Sequence, residues 1–79
     1  MTEVKKLVRA YNALAMSLPN KVWTARFSNP RMEVMGNKVF MEYSVKFGDA
    51  YVPKREPVKA SEVATEIQRL KRRAYERGK

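Results

Sequence analysis

The 79-residue sequence contains neither cysteine nor histidine. Without cysteine there is no disulfide, no thiolate nucleophile and no sulfur ligand for a metal ion. Without histidine the chain also lacks the commonest general base and the commonest metal ligand. Its 8 carboxylates are scattered among cations, and no glycine-rich phosphate loop or metal-ligand spacing is present. We therefore expect a protein that is not an enzyme and that uses no metal and no cofactor.

Long apolar runs are absent as well. Lys5, Lys6 and Arg9 interrupt the N-terminal segment too early for a signal peptide. No uncharged stretch approaches the roughly 20 apolar residues that a membrane-spanning helix needs. A chain of this length forms one domain, residues 1–79, with a thin core. These features predict a soluble, cytoplasmic protein that makes no membrane contact.

Positive charge dominates what is present. The chain has 17 Lys or Arg and 8 Asp or Glu, a net charge of +9. Residues 68–79 hold six basic side chains and one acidic side chain, so just over half of the excess lies in the last twelve residues. Such an asymmetry predicts a polyanionic partner.

Two segments have the spacing of amphipathic helices. In residues 3–18 apolar side chains recur every three or four positions, and Pro19 ends the pattern. The opposite face, which we expect to meet solvent, carries Lys5, Arg9, Asn12 and Met16.

The second helix is predicted over residues 61–77, with Ser61 as its N-cap and Gly78 directly after its end. Its apolar stripe consists of Val63, Ile67, Leu70 and Ala74. It also holds most of the C-terminal charge, and we call it the basic helix.

The clearest strand pattern lies in residues 31–47, which we interpret as a hairpin around Gly36-Asn37. A two-residue turn needs positive φ, which glycine and asparagine supply. The resulting register pairs Met35 with Lys38 and Arg31 with Glu42, a cross-strand ion pair. It also gathers the apolar side chains on one face, so the turn and the alternation support each other.

The neighbouring segments are less regular. Residues 21–28 alternate and predict a strand, with Asn29-Pro30 as the turn after it. Residues 50–52 can return as a short further strand. Two prolines punctuate residues 53–60, which predicts a loop.

The predicted order is helix, three or four antiparallel strands, helix, which is typical of the α+β class. One apolar face on the sheet and one apolar stripe on each helix favour a two-layer sandwich with both helices on the same face of the sheet.

This order resembles that of the double-stranded-RNA-binding domain over most of the chain. That family carries a Gly-Pro-x-His-like loop between its first two strands and a Lys-Lys-x-Ala-Lys-like start to its second helix. This chain has "SNPR" and "PVKASEVA" in place of these two motifs. The motifs depart from the family's pattern, so the resemblance is one of topology and implies no function.

The main candidate site is the outer face of the basic helix, with Arg69, Arg72, Arg73 and Arg77. Lys79 is expected on the same side, just beyond the end of the helix. Glu66 can pair with Arg69, and Glu76 with Arg72 or Arg73, through helical spacing. Further cations that could extend this site are Lys54, Arg55 and Lys59 before the helix, and Lys5 and Arg9 on the first helix. A solvated helix end is the plain alternative, because cations in the last turns also stabilise the helix dipole by about 0.3–1 kcal/mol each.

These residues predict a small basic protein that binds DNA or RNA through phosphate contacts, with little reading of base sequence. The alternative is a protein-interaction module, such as an accessory or inhibitory protein of a virus or mobile element, that docks on an acidic protein surface. Phe40 and Met35, on the outer side of the hairpin, would then contact the partner or a second copy of the chain. A continuous basic stripe would favour nucleic acid, and basic groups around an apolar patch would favour protein.

Overall fold

The computed structural model describes residues 2–78, so Lys79 lies outside the described residues. The elements in chain order are α1 (Thr2–Ser17), β1 (Ser28–Met35), β2 (Lys38–Phe47), β3 (Ala50–Val58) and α2 (Val63–Arg77). Short 3-10 turns, Asn20–Val22 and Ala60–Glu62, precede β1 and α2.

The protein is an α+β structure with two layers, as predicted. Its three strands form one antiparallel sheet in the order β1-β2-β3. Side chains from both helices meet those of β1 and β2 on one face of the sheet and form the core there. The buried core residues are Val8, Tyr11, Ala15, Met32, Val39, Met41, Val63, Ile67 and Leu70. Within residues 2–78 no helix covers the opposite face, which we call the helix-free face.

The hairpin of β1 and β2 has the predicted register. Met35 lies opposite Lys38 and Arg31 opposite Glu42, with Gly36 at a φ of 62° in the turn. A side chain at Gly36 would be strained, because only glycine adopts such a φ without steric cost.

The segment before this hairpin differs from the prediction. Residues 21–27 do not form a strand, and Ser28 is already the first residue of β1. The backbone of Thr24 and Phe27 closes a tight turn through N–H to C=O bonds of 3.2 and 3.4 Å. These local bonds take the place of a strand ladder, and the Ala25 carbonyl in the turn accepts from the Lys46 N–H of β2 over 2.7 Å. The alternation of apolar residues predicted that Trp23 and Phe27 share one face of a strand. The turn also brings these two rings together, so the same pattern arises without a strand.

Asn29-Pro30 is not a turn between strands but part of β1. Asn29 has a φ of 49°, and the pairing register with β2 shifts between Ser28 and Arg31. The extra residue is a β-bulge, a feature that asparagine tolerates because its short side chain permits positive φ. The segment "SNPR" therefore does not connect the first two strands. It does not correspond in position to the loop between the first two strands of the double-stranded-RNA-binding domain.

β3 is longer than predicted, and the loop predicted over residues 53–60 is mostly strand. Pro53 lies opposite Ser44 and Pro57 opposite Phe40. Prolines four positions apart lack their N–H groups on the same side of the strand, here the side away from β2. An edge strand tolerates this loss because no ladder hydrogen bond is missing.

α2 begins at Val63, two residues later than predicted. Ser61 lies in the 3-10 turn instead, and the residue at the helix N-cap, Glu62, makes no side-chain capping bond. The basic helix itself ends at Arg77, as predicted.

Asn12 attaches α1 to the sheet, although its helical position predicted exposure to solvent. Its side-chain amide donates to the Met32 carbonyl over 3.0 Å and accepts from the Met32 N–H over 2.8 Å. The amide thus replaces a neighbouring strand at the free edge of β1. Helix α1 consequently runs beside that edge, which leaves β3 as the open edge of the sheet.

Candidate nucleic-acid interface

The four arginines of α2 that were predicted to bind nucleic acid line a single groove along one side of the helix. The groove has a volume of about 440 Å³ and also contains Tyr11, Phe27 and Leu70. We call it the arginine groove, and its basic members are Arg69, Arg72, Arg73 and Arg77. Helical spacing explains the gathering, because residues three and four apart share one side of a helix.

Acidic side chains neutralise only part of this groove. Glu66 pairs with Arg69, as predicted from their spacing. Glu76 also lines the groove, but within residues 2–78 it forms no ion pair with Arg72 or Arg73, so that prediction is wrong. Three of the four arginines therefore have no carboxylate partner in the described part of the chain.

Arg73 is not on the outer face of α2, where it was predicted. It follows Leu70 by three positions and is turned toward the core, half-buried. Its guanidinium carbon lies 4.8 Å from the centre of the Phe27 ring, a cation–π contact. Arg72 and Arg77, in contrast, are exposed.

Tyr11 closes the groove from the side of α1. Its side chain is buried, and this burial raises the pKa of the phenol well above its usual range. Glu66 adds to the rise, whereas Arg73 opposes it. Tyr11 therefore stays uncharged near neutral pH, and the charge of the groove comes from its arginines and glutamates.

The three cations predicted before α2 are separated by the pleat of β3. Lys54 lies opposite Tyr43 and points to the helix side of the sheet, while Arg55 points to the helix-free face. Lys59 lines a different groove, beside Asn37 and Phe40. Only Lys54 is therefore on the same side of the sheet as the arginine groove.

Arg55 organises the centre of the helix-free face. Its Nη1 is 3.1 Å from Oε1 of Glu42, and its guanidinium carbon is 4.6 Å from the centre of the Phe40 ring. Its Nη2 also contacts the Met35 sulfur. Glu42 thus pairs with Arg55 and not with Arg31, which corrects the predicted ion pair. Arg31 and Arg55 both lie directly opposite Glu42, one on each side, so the register permits either pair. The Arg55 guanidinium additionally packs on the Phe40 ring, which holds it beside Glu42.

Phe40 and Met35, the candidate protein contacts, are brought together by this arrangement. Arg55 covers part of Phe40, which is half-buried, whereas Met35 is 49 % exposed. Lys5 and Arg9 are exposed on α1 and do not line the arginine groove.

An aromatic row beside the groove was not predicted as part of the site. The ring centres of Trp23 and Phe27 are 6.3 Å apart, and those of Phe27 and Tyr43 are 5.2 Å apart. The Tyr43 hydroxyl donates to Oε1 of Glu56 over 2.7 Å, and this bond raises the pKa of Tyr43. The sequence predicted all three rings in the core. Trp23 and Tyr43 are partly buried against it, whereas the turn carries Phe27 to the flank of α2.

Comparison with protein-family models, with curated proteins and with solved structures found no match to this chain. Among residues 2–78, no helix has the length and apolar character required to cross a membrane.

Proposed function

We propose that this protein binds nucleic acid through the phosphate backbone, with the arginine groove as its main contact. The observation that supports this proposal is the set of three arginines in one groove that lack a carboxylate partner within residues 2–78. Arginine keeps its charge at every physiological pH, and its planar fork matches two phosphate oxygens at once.

The spacing along α2 suits a repeating anion. Arg69, Arg73 and Arg77 follow each other at four-residue intervals, a rise of about 6 Å each time. Successive guanidinium groups can therefore meet successive phosphates of one strand. Binding would be driven by the release of condensed counterions and would depend steeply on salt.

Base sequence would contribute little to this contact. The groove presents guanidinium and carboxylate groups on a floor of rings. It contains no asparagine or glutamine amide of the kind that reads adenine, and its arginines face a flank rather than the tip of an inserted helix.

Docking on an acidic protein surface is the second candidate. The observation that favours it is the cluster of Phe40, Met35 and Arg55 on the helix-free face, where an apolar centre is surrounded by charged residues. We rank it second because Arg55 already pairs with Glu42 and covers part of Phe40, which reduces the apolar surface open to a partner.

The test is fluorescence anisotropy with labelled DNA and RNA, single-stranded and duplex, across a salt series. Arg72→Gln with Arg77→Gln removes two exposed charges from the groove. We expect weaker binding to every sequence and a slope of log K against log salt that is shallower by about 1.4 to 1.8.

The matched control is Arg31→Gln with Lys38→Gln, which removes two exposed charges from β1 and β2 outside the groove. This control lowers the net charge by the same amount. Because its two charges lie outside the groove, it should change the slope of log K against log salt far less. Absence of binding by the unmodified protein at low salt would reject nucleic acid and leave the protein partner.

A further inference from the structure

A row of cations and aromatic rings runs from α2 toward the tip of the β2–β3 hairpin. Arg73 lies over Phe27, Phe27 packs against Tyr43, and Tyr43 lies opposite Lys54. The Lys54 ammonium in turn is 5.9 Å from the centre of the Phe47 ring. We call these five residues, Arg73, Phe27, Tyr43, Lys54 and Phe47, the aromatic–cation track.

The track lies on one face and is accessible along its length. Tyr43 and Phe47 are four positions apart on β2, so both point to the helix side of the sheet. They are separated by roughly 13 Å of strand. Phe27 and Tyr43 are half-buried, and Phe47 is 59 % exposed.

Packing within the chain does not explain Phe47. Exposing most of a phenylalanine side chain to water is unfavourable, and the ring contact recorded for it in the described residues is with Lys54. Val52, on the same face, is also 36 % exposed. The hairpin therefore presents an apolar strip with a cation above it.

We infer that the nucleic acid bound at the arginine groove is single-stranded and that its bases stack along the aromatic–cation track. This inference rests on the proposed function. Bases of a duplex are already stacked on one another, whereas unpaired bases stack on aromatic rings and on guanidinium planes. Cations between the rings would meet the phosphates that accompany those bases.

Acidic residues define the orientation of the strand. A pocket of about 210 Å³ between β3 and α2 is lined by Glu56, Glu62 and Glu66, next to Phe27 and Tyr43. Phosphates are repelled from that side. The backbone therefore follows the arginines and Lys54, and the bases face the rings.

The decisive variant is Phe47→Ala, because this ring is exposed and its removal leaves the core intact. We expect affinity for a single strand to fall about 5- to 160-fold, the range for the loss of one base–ring stack. Affinity for a duplex of the same sequence should be unchanged. Phe47→Trp should retain single-strand binding because it keeps a stacking surface.

Tyr51→Ala is the matched control. Tyr51 is 60 % exposed in the same hairpin, but it lies opposite Lys46 and so points to the helix-free face. The Tyr51→Ala variant should bind single strands as the unmodified protein does. Circular dichroism should show that Phe47→Ala, Phe47→Trp and Tyr51→Ala are all folded.

The outcomes separate the two proposals. The inference is supported if the protein prefers single strands to duplex, if Phe47→Ala abolishes this preference and if Tyr51→Ala retains it. Equal or tighter binding of duplex, or equal effects of the two variants, overturns the inference and leaves the proposed function standing. Failure to bind any nucleic acid at low salt overturns both.

Discussion

The guanidinium of Arg73 packs against the ring of Phe27 and so joins α2 to the turn that precedes β1. The same residue lines the arginine groove. Arg73 therefore contributes to both stability and the proposed binding surface, whereas its neighbour Arg72 is exposed and makes no ion pair within the described residues.

This difference predicts separable effects of two similar substitutions. Arg73→Ala should lower the free energy of unfolding by about 0.5–1 kcal/mol through loss of the cation–π contact. Arg72→Ala should change it by less than about 0.5 kcal/mol, as is usual for surface substitutions. Urea unfolding followed by circular dichroism measures both. Equal stability of the two variants would show that the contact with Phe27 contributes nothing.

Much of the fold could be predicted because its determinants are local. The register of β1 and β2 follows from Gly36-Asn37 and from period-two alternation, and both act over a few residues. The stripes of the two helices are likewise local patterns. The α+β order and the packing of both helices on one face then follow from the need to bury those stripes.

What could not be predicted depends on partners distant in sequence. Pro53 and Pro57 predicted a loop, and only the position of β3 at the sheet edge makes them acceptable. Asn12 looked like a solvent-facing residue because its partner, Met32, is twenty positions away. Charge clustering identified the arginines of α2, but the aromatic floor depends on the turn that brings Phe27 to them.

The two hydrogen bonds between Asn12 and the Met32 backbone predict a large effect of Asn12→Ala. The variant leaves a backbone N–H and a C=O without protein partners at a partly buried edge. We expect the free energy of unfolding to fall by about 1–3 kcal/mol, since unsatisfied polar groups are costly. Gln68→Ala, an exposed amide on α2, is the control and should change it by less than about 0.5 kcal/mol. A similar small loss for Asn12→Ala would contradict the attachment of α1 through this amide.

We expect the prolines of β3 to prevent the open edge of the sheet from pairing with the same edge of a second chain. Pro53→Val with Pro57→Val restores two outward N–H groups and adds residues that favour strands, so the edge can pair with a second chain. We expect sedimentation velocity to show association that increases with protein concentration. Tyr51→Val adds the same side chain to the same strand and keeps both prolines, so it should not associate. A variant lacking both prolines that stays monomeric would show that other features protect the edge.

Burial of Tyr11 predicts loss of stability at alkaline pH. Burial raises its pKa in the folded state above the ordinary value of about 10. Above pH 10 the unfolded chain therefore releases a proton that the folded chain retains, and this difference lowers stability as pH rises. The contribution is fully present below pH 10 and falls by up to about 1.4 kcal/mol per pH unit above it.

Tyr11→Phe removes this titration and keeps the ring. Urea unfolding between about pH 8 and pH 11 covers the range around the ordinary tyrosine pKa. Over this range the free energy of unfolding should decline less steeply for Tyr11→Phe than for the unmodified protein. Tyr51→Phe alters an exposed phenol and should decline like the unmodified protein. The three proteins share every other ionisable side chain except the phenol at position 51, so only a difference specific to position 11 supports the prediction. Parallel curves would mean that the Tyr11 hydroxyl titrates as it does in the unfolded chain. Such a result would in turn place water at the boundary between α1 and the arginine groove.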